Sequence, residues 1–240
     1  RRPPRSTLFP YTTLFRSYGV DPAKIKISGL PLNPKFREVD EIDAQNARRA
    51  FGLDPDKFTV FVNAGWVGGG NIPVIFKELI RGELDVQAIF LAGKNEALRI
   101  EAEELAKTAK FPVKVIGYSD EVEKLMQSAN VMVSKLGGLT TFEALACRLP
   151  IIADGTTPPM PQEAGTLKLL ADGGAGILLE RSVDIVPTIR SLIGDSVRYR
   201  DLRAATRGLA TPDATERIVR EIAALMPKPV LPSPAEAAAG

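Results

Sequence analysis

Short, near-continuous apolar runs recur along this chain at residues 58–64, 86–92, 113–117, 131–134 and 150–153, with a weaker sixth at 176–179. Strands with one wet face alternate apolar and polar residues; runs without that alternation suit strands covered on both faces. Patterns of helical period fall between them, at residues 73–84, 96–109, 119–128, 139–148 and 163–172. Alternation at this spacing implies right-handed βαβ crossovers. The expected fold is therefore α/β, a Rossmann-like doubly wound parallel sheet of about six strands. Ligands of such sheets bind in the crevice outside the carboxyl ends of the strands. The chain is 45% apolar and 25% charged, ordinary globular usage for its 240 residues.

The most informative strand end is the one at 131–134. It runs into Lys135-Leu136-Gly137-Gly138, and a helix opens with Leu139-Thr140-Thr141-Phe142-Glu143. The N–H groups of a first helical turn have no intrahelical partner and suit an anion. Gly137 and Gly138 let the backbone turn and approach a ligand without a Cβ in the way. Thr140 and Thr141 add hydroxyls, and Glu143 lies one turn in, where a carboxylate can hold two vicinal hydroxyls. Diphosphate on the helix end and ribose on the acid together describe a nucleotide-sugar site. Taken alone, the Gly-Gly also reads as an ordinary tight turn, and Glu143 as a solvated helix acid.

A second segment, residues 151–166, ends a buried strand in a proline-rich loop, and Gln162-Glu163 starts the next helix. An amide beside a carboxylate suits sugar hydroxyls, because one accepts and donates and the other only accepts. Glu163 also simply favours a helix N-terminus. Two further loops lie at the same edge. Residues 65–71, Gly-Trp-Val-Gly-Gly-Gly-Asn, allow close approach of a substrate or an opposing domain, and Gly69 and Asn71 join the candidate nucleotide-sugar-binding set. This loop is neither a Gly-x-Gly-x-x-Gly fingerprint nor a Walker loop. In Gly117-Tyr118-Ser119-Asp120, Ser119 reads as an N-cap.

A net charge of +2 gives no argument for nucleic acid. No run of ~18 apolar residues suits a membrane span. Cys147 is the single cysteine and reads as a small buried residue in a reducing compartment. Histidine is absent. Thr211-Pro212-Asp213 reads as a helix start with Thr211 as cap, the helix running to about Met226.

In unbroken order from about Ile25 to Gly176, the chain carries Ile27-Ser-Gly-Leu-Pro-Leu-Asn-Pro-Lys-Phe36, Val62-Asn-Ala-Gly65 with Gly68-Gly-Gly-Asn71, Ala92-Gly-Lys-Asn-Glu-Ala-Leu98, and Val115-Ile-Gly-Tyr118. Val133-Ser-Lys-Leu-Gly-Gly-Leu-Thr140, Glu143-Ala-Leu-Ala146, Leu149-Pro150 and Gln162-Glu163 follow. This order resembles the C-terminal, donor-binding half of a GT-B glycosyltransferase of family 28, which holds diacylglycerol glucosyltransferases, galactolipid synthases and the peptidoglycan GlcNAc transferase. The resemblance implies an inverting hexosyltransferase with a UDP-sugar as donor and no separate cofactor or metal. It implies a lipid acceptor such as diacylglycerol, and a cytoplasmic location or a peripheral one at the inner membrane face. Gly137, Gly138, Leu139 and Thr140 would hold diphosphate, Glu143 the ribose, and Gln162 and Glu163 the hexose. Tyr118 would lie near the uracil. The catalytic base is expected in an N-terminal domain outside this chain, so the chain alone is expected to be inactive. Pro161, Thr166 and Leu136 depart from the family's usual residues, which bears on loop shape and sugar choice. A sugar-nucleotide epimerase of the UDP-GlcNAc 2-epimerase kind, or a non-catalytic UDP-sugar-binding module, would share this architecture.

Thr7 to Ser17 resembles one reading frame of a widely used short-read sequencing adapter. The expected organisation is thus an artefactual, disordered leader at 1–17, and the end of an N-terminal domain plus linker at 18–37. A donor-binding domain at 38–226 and a disordered tail at 227–240 follow.

Overall fold

A computed structural model describes residue 15 and residues 18–66, 70–158 and 164–226. The leader, Phe15 aside, and the tail lie outside the described residues, as do the candidate positions Gly69, Gln162 and Glu163.

The strands are β1 (Thr59–Asn63), β2 (Gln87–Leu91), β3 (Val113–Ile116), β4 (Val131–Ser134), β5 (Ile151–Asp154) and β6 (Gly176–Leu179). The helices are α1 (Glu41–Ala50), α2 (Ile72–Arg81), α3 (Glu96–Ala106), α4 (Val122–Ser128), α5 (Gly138–Ala146), α6 (Ala164–Gly173), α7 (Ile185–Gly194), α8 (Ser196–Leu209) and α9 (Ala214–Leu225). All strand pairs are parallel, in the order β3-β2-β1-β4-β5-β6. This is the doubly wound order, and its switch point falls between β1 and β4. Val60 faces Ala88 of β2 on one side and Val131 of β4 on the other.

Both faces of the sheet are covered, which is why the strands carry no polar alternation. Val60 and Val62 of β1 pack with Ile75, Phe76 and Leu79 of α2, Leu98 and Ala102 of α3, and Ile185 and Ile189 of α7. Phe61, between them, points to the other side and packs with Leu125 and Met126 of α4, Leu145 of α5, and Leu169 and Leu170 of α6. Leu30, Leu32 and Phe36 of the segment before α1 lie against this second layer. Cys147 is buried there, and burial pushes its thiol up to about 12, so it is not a thiolate at neutral pH.

Two expected helix starts are corrected. Ser119 does not cap α4; its Oγ accepts the N–H of Glu121 over 3.1 Å in a preceding turn, and the helix opens only at Val122. Thr211 does not cap α9: the chain makes a turn from Thr211 to Ala214 first, and Asp213 takes the cap position without a side-chain bond. Expected helix ends also move inward. α2 stops at Arg81 because Gly82 is extended. α5 stops at Ala146, where Arg148 takes φ 61° and the N–H of Leu149 reaches back to Ala144. That is a Schellman ending with an arginine in the place glycine usually fills.

Candidate functional site

β1 and β4 are neighbours, and their following loops leave toward α2 and α5 on opposite faces. The crevice between them is the switch point. α5 begins there with Gly137 as N-cap, and no side chain caps it. The N–H groups of Gly138, Leu139 and Thr140 are the orphan donors of that end; the N–H of Thr141 returns to Gly137 O over 3.1 Å. Gly137 has φ −98°, so the turn itself does not demand glycine, contrary to the expectation from sequence. Among the described residues, a Cβ on Gly137 or Gly138 would meet nothing within 4 Å. Space above the helix end is therefore open to a ligand, and the fold's own packing gives no reason for either glycine.

Beside this end lies a cavity of about 470 Å³. Leu139, Thr140 and Glu143 of α5 line it from one side, and Tyr118 from the β3 end. Four candidate residues from two separate motifs thus meet in one space. Glu143 is half-buried, and desolvation raises its carboxyl above the ordinary range. Among the described residues no side chain pairs with it.

Asn71 is placed differently. Its backbone N–H donates to Asp154 Oδ2 (3.0 Å), and its amide donates to Thr156 Oγ1 (2.8 Å) and Ser182 Oγ (3.0 Å). Asp154 also accepts from Thr156 N (2.9 Å), Thr156 Oγ1 (2.6 Å) and Thr157 Oγ1 (2.8 Å). Burial would raise the Asp154 carboxyl, but the bonds from Thr156, Asn71 and Thr157 outweigh it and hold it below its usual value. Asn71 therefore ties the loop after β1 to the end of β5 and does not line the cavity that holds Tyr118.

Three cavity features had no sequence-level role. Trp66 is 61% exposed at the rim, with its ring edge-on to Tyr118 at 5.7 Å and 88°. Lys94 sits next to the cavity-lining Gly93 and places Nζ 4.2 Å from the Trp66 ring centre and 5.2 Å from that of Tyr118, a cation–π arrangement. Glu123, on α4, is a buried acid lining the same cavity. These residues leave three different strand ends, and no local pattern brings them together.

Residues 72–153 match the glycosyltransferase family 28 C-terminal domain, and the resemblance read from the motifs is borne out. The processive diacylglycerol beta-glucosyltransferase of Bacillus licheniformis is 28% identical over 205 residues, covering 85% of this chain and 52% of that protein. The probable monogalactosyldiacylglycerol synthase 3 of Oryza sativa subsp. japonica is 29% identical over 211 residues, covering 85% and 41%. The chain thus spans about half the length of these relatives. Among solved structures, Anabaena HepE in complex with UDP-glucose aligns with TM-score 0.63 at 16% identity, over 89% of this chain and 61% of that one. MurG of Acinetobacter baumannii aligns with TM-score 0.65 at 15% identity, over 85% and 58%. At such identities the likeness is one of fold, and the fold is that of GT-B glycosyltransferases.

Proposed function

Proceeding from that family 28 domain, we propose that this chain is the donor-binding half of an inverting glycosyltransferase. It takes a UDP-sugar, and a lipid such as diacylglycerol is the acceptor of the whole enzyme. The observation that carries the reading is one juxtaposition: the N-terminus of α5, which no side chain caps, and the half-buried Glu143, unpaired among the described residues, stand one helical turn apart at the switch-point cavity. Diphosphate would lie on the N–H groups of Gly138, Leu139 and Thr140, where the helix dipole meets the charge that develops on the leaving group. Glu143 would accept both ribose hydroxyls, and the base would lie toward Tyr118. Gln162 and Glu163, outside the described residues, remain the candidates for the hexose.

The named activities of the two plant and bacterial relatives support a glycolipid product. No helix among the described residues is long and apolar enough to cross a membrane. With the chain spanning about half of its relatives, it is expected to bind donor and to transfer nothing by itself.

Calorimetric titration with UDP tests the site. Hydrogen bonds to a charged group contribute roughly 1.5–3 kcal/mol, so Glu143→Gln and Glu143→Ala should each weaken UDP about 10- to 100-fold. Against 2′,3′-dideoxy-UDP, which lacks the diol, both variants should equal wild type. Equal UDP affinities in all three proteins would remove Glu143 from the site.

A further inference from the structure

Asp154 ends β5 and is 5% exposed. Its Oδ2 accepts from Asn71 N and Thr157 Oγ1, and its Oδ1 from the N–H and the hydroxyl of Thr156. The Asn71 amide carries the network on to Thr156 Oγ1 and to Ser182 Oγ, past the end of β6. The loops after β1, β5 and β6 are thus held as one unit. Gly70, at φ +73°, is packed into it: a Cβ there would lie 3.2 Å from Asp154 Oδ2 and 3.6 Å from Lys135 Cβ. Lys135 belongs to the loop that feeds the N-terminus of α5, so the unit abuts that helix end.

A UDP-sugar is a linear sequence of base, ribose, diphosphate and hexose. In the reading above the base lies toward Tyr118, after β3, and the diphosphate on α5, after β4. The strand order is β3-β2-β1-β4-β5-β6, so a donor laid out this way runs along the strand ends from β3 to β4. Its hexose falls next, toward β5, one strand spacing of about 4.8 Å further on. That is where the Asp154 network stands. The loop that Thr156 and Thr157 begin leads on in sequence to Gln162 and Glu163. A fully satisfied buried polar network holds one geometry, whereas apolar packing of the right volume tolerates several.

Resting on the nucleotide-sugar reading above, we propose that Asp154 is a positioning residue for hexose recognition. Through Asn71, Thr156, Thr157 and Ser182 it fixes the backbone of the loop after β5 beneath the sugar. It touches neither nucleotide nor hexose. Its effect falls on the choice between hexoses, because discrimination by hydrogen bonds to hydroxyl groups depends on polar partners held at fixed positions.

The test is calorimetric titration of the 240-residue chain with UDP, UDP-glucose, UDP-galactose and UDP-GlcNAc. The three sugars share the nucleotide, so differences among them report on the hexose alone. Wild type should spread their affinities by about 10-fold or more. Asp154→Asn turns one acceptor oxygen into a donor facing donors. It should leave UDP within about twofold and narrow the spread to about threefold or less. Ser182→Ala leaves Asp154 charged and removes only the hydroxyl that receives the Asn71 amide. It should narrow the spread in the same direction, by less. Glu143→Gln should weaken all four ligands alike and keep the spread. Thermal melts show which variants are folded at the titration temperature; if Asp154→Asn is not, Ser182→Ala decides. An unchanged spread in the deciding variant, with UDP still bound, overturns the assignment and leaves the nucleotide site standing. So does an equal loss for all four ligands, which marks a purely structural network, and so does a wild type that binds the three sugars equally. Absence of UDP binding by the folded wild type overturns the nucleotide-sugar reading and this assignment with it.

Discussion

The backbone N–H of Asn71 donates to Asp154 Oδ2 across 3.0 Å, joining the loop after β1 to the end of β5. Those two loops flank β4, and the crevice opens between them. Asp154→Asn keeps the side chain's shape but replaces an anion that collects four hydrogen bonds from Asn71, Thr156 and Thr157. The expected loss is about 1.5–3 kcal/mol of stability at neutral pH. The Asp154 carboxyl is depressed in the folded protein, so its contribution is complete above the unfolded value of about 3.9 and fades as pH falls through the lower folded value. Urea unfolding of both proteins at pH 7 and below pH 4 should show a gap at the former that shrinks at the latter. A gap independent of pH would mean that the charge is not what matters.

Two glycines separate packing from binding. A methyl on Gly93 would overlap the carbonyl oxygen of Gly65 and approach that of Trp66 to 2.6 Å, and its φ is +65°. Left-handed backbone costs a non-glycine residue roughly 1–2 kcal/mol before any clash. Gly93→Ala should therefore unfold at clearly lower denaturant and also disturb the cavity rim. Gly138→Ala meets open space and sits in the first turn of α5, where alanine is well tolerated. It should keep or slightly raise stability while weakening UDP, because the methyl intrudes where the diphosphate would rest. Full UDP affinity in Gly138→Ala would place the phosphates elsewhere.

How far the sequence could be read follows from which signals are local. The strands were legible because Val60, Phe61, Val62, Ile89 and Phe90 are fully buried, so the runs leave no polar alternation to misread. Helices α1, α7 and α8 went unread; α1 and α8 are largely polar, with a few apolar residues docking on neighbours. Ser119 misled because a hydroxyl serves an isolated turn as readily as a helix cap. Leu139, Thr140 and Glu143 share one helix, so their meeting was implicit in the spacing. Tyr118 joined them only through the family resemblance. Trp66, Lys94 and Glu123 had no such help, since their convergence depends on the strand order. Asn71 was assigned to the donor by its loop, and its amide is spent on Thr156 and Ser182, partners 85 and 111 residues away in sequence.

Trp66 is the only tryptophan, so its fluorescence reports on the cavity rim directly. UDP entering beside Tyr118 should change the emission saturably, with the midpoint found by calorimetry. Lys94→Ala removes the ammonium lying over the ring and should shift the emission of the free protein as well. An emission that ignores saturating UDP would put the base away from Trp66 and Tyr118.

Glu143 should behave as a residue kept for binding at some expense to the fold. Burial raises its carboxyl, with no pairing group among the described residues to offset the desolvation. The sign is the reverse of the Asp154 case. A folded-state value above the unfolded one of about 4.3 means that the folded protein binds more protons in that window. Stability then falls as pH rises through the window, and a constant penalty remains above it. Glu143→Gln removes the ionisation and should leave melting at pH 7 unchanged or higher, even as UDP binding drops. UDP affinity of wild type should rise with pH across the same window, because the diol needs the carboxylate as acceptor; Glu143→Gln should lose that dependence. Thermal melts and UDP titrations of both proteins from pH 4 to 8 measure the two effects separately. A variant that melts lower at pH 7 would make Glu143 a structural acid. Higher melting with weaker binding is the pattern a functional site produces when activity is held against stability.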